Sequence, residues 1–178
     1  MPEDPGSYET KRKALLEKTW FSFGLDDTLH EFRKAPSAAV LTTLTQISAK
    51  HQIPLTDLQN SHKKILALKK AQAFSDSRTS DEYRKERFAA VLDKFAIPIT
   101  PKMLGDLAGI YKETLEKSLE LKLGVKSLFA YLRLMGKKIA AITEGPQDAQ
   151  VWTVEKLGFA FLVDFLATTN FFWYFKDG

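Results

Sequence analysis

The chain has 178 residues, 44% apolar and 27% charged, which suits an ordinary globular protein and excludes disordered and fibrous classes. A formal net charge of +4 is too small a surplus to argue for nucleic acid, and no nucleic-acid-binding motif supports one. The absence of cysteine excludes a disulfide framework, a thiolate nucleophile and a zinc knuckle, and makes the reducing cytosol the expected compartment.

In chain order, the first residues, MPEDPGSYETKRK, are polar and lack the apolar core of a secretory signal. They lead into a short helix predicted around Lys11 to Lys18. KTWFSFGL is aromatic-rich without helical periodicity, which predicts a buried strand over Thr19 to Phe23. Gly24 and the carboxylates of Asp26 and Asp27 then fall in the loop at its C-terminal end.

From about Ala38 to Leu123 the texture is amphipathic and helical. Pro54 and the spacing of Thr56 and Gln59 predict a helix start, with the threonine as N-cap and the glutamine as its reciprocal partner. Phe88, Val91, Leu92 and Phe95 recur at helical spacing opposite the charges of DEYRKER. Thr100 followed by Pro101 opens another helix, whose inward face carries Leu104, Leu107 and Tyr111. These faces read as core, because an amphipathic helix buries one side simply to exist. The pairs Lys63, Lys64 and Lys69, Lys70 read as a solvated face. His30, His51 and His62 lack the spacing of a zinc site and read as ordinary surface or half-buried side chains.

The next stretch differs in kind. Val125 to Met135 reads as a helix stopped by Gly136, and Ile139 to Ile142 as a parallel, fully buried strand. Thr143, Glu144 and Gly145 form a loop, Pro146 starts a helix that Gly158 ends, and a short strand is expected near Phe161 to Val163. Strand, loop, helix, strand is a βαβ unit, so the predicted architecture is α/β with an all-helical insertion after the first strand. The run FAFLVDFLATTNFFWYF carries Asp164, two threonines and Asn170 and is too short for a spanning helix, so no membrane association is expected.

In an open parallel sheet, ligands bind beyond the carboxyl ends of the strands. Two loops lie there: GLDDTL offers acids and a threonine hydroxyl, and TEGPQD offers Thr143 and the backbone N–H groups of a helix start, an anion site. A phosphate fits between them. Read alone, LDDTL is also compatible with an acidic turn and TEGPQD with a plain helix start, Glu144 and Asp148 then being N-terminal capping acids.

FSFGLDDTL, KKIAAITEG and the lysine of TTNFFWYFKDG, in that order, resemble the motifs of the haloacid dehalogenase (HAD)-like hydrolase superfamily. The resemblance runs from Thr19 onward. It implies a parallel Rossmann-like sheet, left incomplete by the early end of the sequence, with residues 1–30 and 124–178 as core and residues 31–123 as an inserted helical cap. It also implies roles. Asp26 takes the acid/base position, Thr28 a supporting one, Thr143 the phosphate-binding one and Lys176 the charge-neutralising one. Asp27, Glu144 and Gly145 line the phosphate side. The nucleophile position is Gly24, where no aspartyl phosphate can form, so phosphatase turnover is expected to be lost or strongly impaired.

Magnesium is the metal the resemblance implies, but the first carboxylate ligand is absent and the sequence stops two residues after Lys176, so no metal or other cofactor is assigned. The stop also leaves the aromatic first strand on an open sheet edge, which predicts homo-oligomerisation unless the FFWYF segment covers it. Three functions follow as expectations: an impaired HAD-like phosphohydrolase acting on a small phosphate ester, a repurposed metal-independent isomerase, cyclase or lyase using Asp26 as acid/base, or a non-catalytic binding or oligomerising pseudoenzyme.

Overall fold

The computed structural model describes residues 7–70, 78–169 and 171–174. Ser7 caps α1 (Tyr8–Glu17) through its Oγ, which accepts from the Thr10 N–H, and α1 buries none of its residues. The chain then enters β1 (Trp20–Gly24), one edge strand, among the described residues, of a four-stranded sheet ordered β1-β2-β3-β4. The other strands are β2 (Lys138–Ile142), which pairs with β1, β3 (Phe165–Thr168) and β4 (Phe171–Tyr174). The first three run parallel and β4 antiparallel to β3. The connections between the parallel strands are helical, α6 (Val125–Leu134) leading into β2 and α7 (Gln147–Lys156) leading out of it. This is an α/β, Rossmann-like sheet with an inserted helical cap.

One apolar cluster sits between sheet and helices. Phe129 of α6 is its hub, packing against Phe23 of β1 at 5.2 Å and edge-on to Phe159 at 5.8 Å between ring centroids. A fully buried phenylalanine or leucine of this kind contributes roughly 1.5–3 kcal/mol through burial. The buried strand predicted over Thr19 to Phe23 is corrected: Trp20, Ser22 and Gly24 are exposed and only Phe21 and Phe23 turn inward, half-buried. A marginal strand is covered on one face here, so the side chains alternate instead of being buried together. In β2, Ile139, Ala140 and Ala141 are buried, but Ile142 emerges at the carboxyl end.

The strand expected near Phe161 to Val163 is also displaced. Ala160–Leu162 form a 3-10 turn, and pairing begins only at Phe165. Asp164 marks the junction: its N–H donates to the Ile139 carbonyl, while its carboxylate accepts from the Ile139 N–H and the Arg133 guanidinium, at 2.8 and 2.7 Å. A short apolar run cannot separate turn from strand by periodicity, and it is this anchor to β2 that fixes where the third strand starts.

The second cluster lies within four helices, α2 (Lys34–His51), α3 (Leu55–Lys70), α4 (Ser80–Lys94) and α5 (Pro101–Lys117). Phe88, Val91 and Leu92 of α4 are buried against Leu107 and Tyr111 of α5, as their spacing predicts. Thr100 caps α5 by accepting the Met103 N–H, with Pro101 at the first helical position. The predicted cap at Thr56 is corrected: α3 starts at Leu55, and the N–H groups of Asp57 and Leu58 both reach the Pro54 carbonyl, so Thr56 already lies inside the first turn. A reciprocal capping box does occur, at Thr79 and Glu82 of α4.

The outgoing and returning connections of this helical block are paired. Glu31 N–H donates to the Glu120 carbonyl, Lys122 N–H donates to the Leu29 carbonyl, and His30 bridges Leu121 in antiparallel register. Ion pairs Lys34–Glu120 and Lys122–Glu31 flank the crossing. No helix among the described residues is long and apolar enough to cross a membrane.

Candidate functional site

The loop after β1 is shaped by its own sequence. Leu25 and Leu29 are buried in the sheet cluster, and the Leu29 N–H closes onto the Leu25 carbonyl at 3.0 Å. Turning within that span puts Asp27 in the left-handed region at φ 56°, a conformation that aspartate tolerates better than most residues. Anchoring both leucines leaves Asp26 half-buried and lifts Asp27 and Thr28 to the surface.

Gly24 ends β1 directly beside Ile142, the last residue of β2, so the GLDDTL and TEGPQD loops leave the sheet side by side. Gly24 is absent from the positive-φ glycines, and a Cβ built on it meets only the Thr28 side chain, with Oγ1 at 3.1 Å. Neither backbone conformation nor crowding therefore demands glycine there. Thr28 faces the space that a longer residue at position 24 would enter.

Asp26 Oδ1 lies 3.1 Å from His30 Nε2. Asp27 turns away from this pair, its Oδ2 accepting from Arg33 Nε at 2.8 Å in an exposed ion pair. In the second loop the Thr143 N–H donates to the Ala167 carbonyl and continues the β2–β3 register, while its hydroxyl donates to the Glu144 carbonyl at 3.3 Å. That carbonyl also accepts from Gln150 Nε2 at 2.8 Å. Gly145 has φ 115° and donates its N–H to Thr169 Oγ1 at 3.1 Å, so this backbone donor, expected to be free for an anion, is engaged within the protein.

Neither acid of TEGPQD caps α7, whose N-cap, Pro146, offers no side-chain acceptor. Asp148 instead accepts from Ser80 of α4, which corrects its assignment as a capping acid of its own helix. Lys176 lies outside the described residues. His30, read from the sequence as an ordinary histidine, is the site residue that sequence reasoning missed. The available signal was its position four residues after Asp26.

The donor set does not fit magnesium. A six-oxygen site usually draws on one or two free carboxylates. Here the first position is glycine, Asp27 is paired with Arg33, and the described residues contain no group of three or more histidines or acids able to hold a metal ion. A concavity of about 480 Å³ opens beside residues 119–124, Lys156 and Leu157, and none of the loop residues above lines it.

No protein-family model and no curated protein sequence matches the chain. Solved structures do. YfnB from Bacillus subtilis, a candidate HAD-hydrolase crystallised with magnesium, superposes with a TM-score of 0.59 at 22% identity, over 84% of this chain and 64% of that one. The chain has the HAD-like hydrolase fold. A haloacid dehalogenase-like family hydrolase from Xanthomonas campestris gives 0.56 at 16% identity, over 85% of this chain and 61% of that one. The 2-haloacid dehalogenase from Pseudomonas syringae pv. Tomato gives 0.54 at 20% identity, over 84% and 63%. The chain spans less than two thirds of the length of each of these HAD-like structures.

Proposed function

We propose that this chain carries the HAD-like fold with its phosphohydrolase chemistry lost or strongly impaired, because position 24 has no carboxylate. The supporting observation is Gly24 itself, at the carboxyl end of β1 against Ile142, with strand backbone and only the exposed Thr28 side chain close to where a Cβ would stand. Removal of a nucleophile generally costs several orders of magnitude in rate and leaves what binding and electrostatics supply.

In this reading a small phosphate ester sits between the loops, with Asp26 in the acid/base role and Thr28, Thr143 and the Glu144–Gly145 backbone around the phosphate. Asp27 contributes on the same side once released from Arg33, and Lys176 supplies the neutralising charge. No step runs through a metal. The partition into a core of residues 1–30 and 124–178 and a cap of residues 31–123 belongs to this proposal and is supported by the two separate apolar clusters. So do a cytoplasmic location, no nucleic-acid or membrane partner, and self-association along β1, which is marginal in the sheet and exposes Trp20. Light scattering over a concentration series tests the last point, and a strictly monomeric particle rejects it.

The decisive experiment compares the unmodified chain with G24D on a panel of phosphate esters with magnesium. A gain in turnover is expected, and no gain rejects the reading. A second reading, a repurposed metal-independent isomerase, cyclase or lyase with Asp26 as acid/base, is favoured by the Asp26–His30 pair, which equips Asp26 for proton transfer without a carboxylate at position 24. Full retention of such an activity in D26N would reject it.

A further inference from the structure

Resting on the role proposed for Asp26, we infer that His30 is its positioning residue: the Nε2–H of His30 holds Oδ1, so that Oδ2 is the oxygen presented to a ligand. When the Asp26 carboxylate is ionised it only accepts, and the hydrogen of this 3.1 Å contact is then carried by Nε2. Asp26 Oδ2 makes no hydrogen bond among the described residues.

The imidazole is enclosed. His30 is 2% exposed, and its ring meets that of Phe32 edge-on at 5.9 Å. Its backbone bridges Asp26 on one side and Leu121 on the other. Nδ1 is buried without a hydrogen-bond partner among the described residues, so the bond to Asp26 is the ring's one polar engagement. A side chain held only for packing there would be better apolar, since a buried unpaired nitrogen is a cost that a leucine or phenylalanine avoids. The polar ring is therefore tied to Asp26.

The placement has a second consequence. His30 sits where the chain leaves the sheet for the helical block, and Leu121, which bridges it, sits where the chain returns. This crossing is one of the links between the helical block and the sheet, beside the Asp148–Ser80 contact. Through Nε2 the crossing is joined to the carboxylate of Asp26.

Two measurements test the assignment. In the unmodified chain labelled with ¹⁵N-histidine, NMR should find a hydrogen on His30 Nε2 that exchanges slowly with water, and D26A should remove that protection. A bare Nε2, or protection unchanged in D26A, overturns the inference. In the G24D chain, H30L should lower kcat roughly ten- to hundredfold with KM little changed, as expected when a reacting group is misplaced. H30Q, which keeps a donor at the same reach, should recover most of that loss. Equal kcat in G24D, G24D/H30L and G24D/H30Q overturns it. If G24D itself is inactive, the phosphohydrolase reading falls, and the labelled-histidine measurement still decides whether His30 holds Asp26.

Discussion

Asp148, in the first turn of α7, accepts from Ser80, the first residue of α4, through both the Ser80 N–H, at 3.0 and 3.1 Å to its two oxygens, and the Ser80 hydroxyl, at 2.6 Å. A carboxylate next to the second candidate loop thus satisfies a helix N-terminus in the cap, 68 residues away in sequence. D148A should destabilise the protein by roughly 1–3 kcal/mol, because Ser80 is buried and loses its acceptor. S80A should cost less, since the N–H contact survives. Urea unfolding of both variants reads the difference, and D148A at the stability of the unmodified chain would contradict the clamp.

Gly145 combines φ 115° with a position where an added Cβ would stand 2.9 Å from Gln150 Nε2. G145A should therefore cost more than about 1 kcal/mol, through both backbone strain and displacement of Gln150 from the Glu144 carbonyl. The Thr143 and Glu144 amide resonances should move with it. Thermal unfolding and an amide spectrum check this, and a silent substitution would mean that the loop can relax freely.

Stability should fall in two steps as pH is lowered. Burial, with the charge of Arg87 added, pushes the His62 pKa below its ordinary 6.5. For Asp164, burial acts upward but is outweighed by the hydrogen bonds from the Ile139 N–H and Arg133 and by the charges of Arg133 and Lys138, which hold its pKa below 3.8. In both cases the unfolded chain binds the proton first, so the stabilisation is present above the unfolded value and is lost as pH falls through the folded one. The first loss begins below about 6.5 and the second below about 3.8. H62Q should flatten the first and D164N the second in unfolding free energies measured across pH.

G24D should fold as well as the unmodified chain, within about 1 kcal/mol, because the position needs no positive φ and a strand glycine is itself entropically unfavourable. The single adjustment required is at Thr28, an exposed side chain whose Oγ1 lies 3.1 Å from the new Cβ. Adding T28A should relieve any residual cost. A large destabilisation in G24D that T28A does not reverse would show that Gly24 has a structural role.

The sequence carried the helices of the cap where periodicity and caps coincide, as in α5 with Thr100, Pro101 and the Leu107–Tyr111 face. It placed β1 and β2 and the order of the two loops, and it exposed position 24 as glycine. Such features depend on residues within a turn or two of each other, so composition and spacing specify them. His30 is instructive because it is equally local and was still missed. Spacing of four normally implies neighbours on a helix, whereas here the left-handed turn at Asp27 brings the imidazole back to Asp26.

Tertiary structure alone decided the rest. The onset of β3 follows from Asp164 reaching Ile139 across 25 residues, and the half-exposure of β1 from its place at the margin of the sheet. Asp148 became the cap of a distant helix, and Gly145 lost its free N–H to Thr169. Each of these is a contact between segments far apart in the chain. A sequence states which groups can donate, accept or be buried, and only the packed fold determines which of them meet.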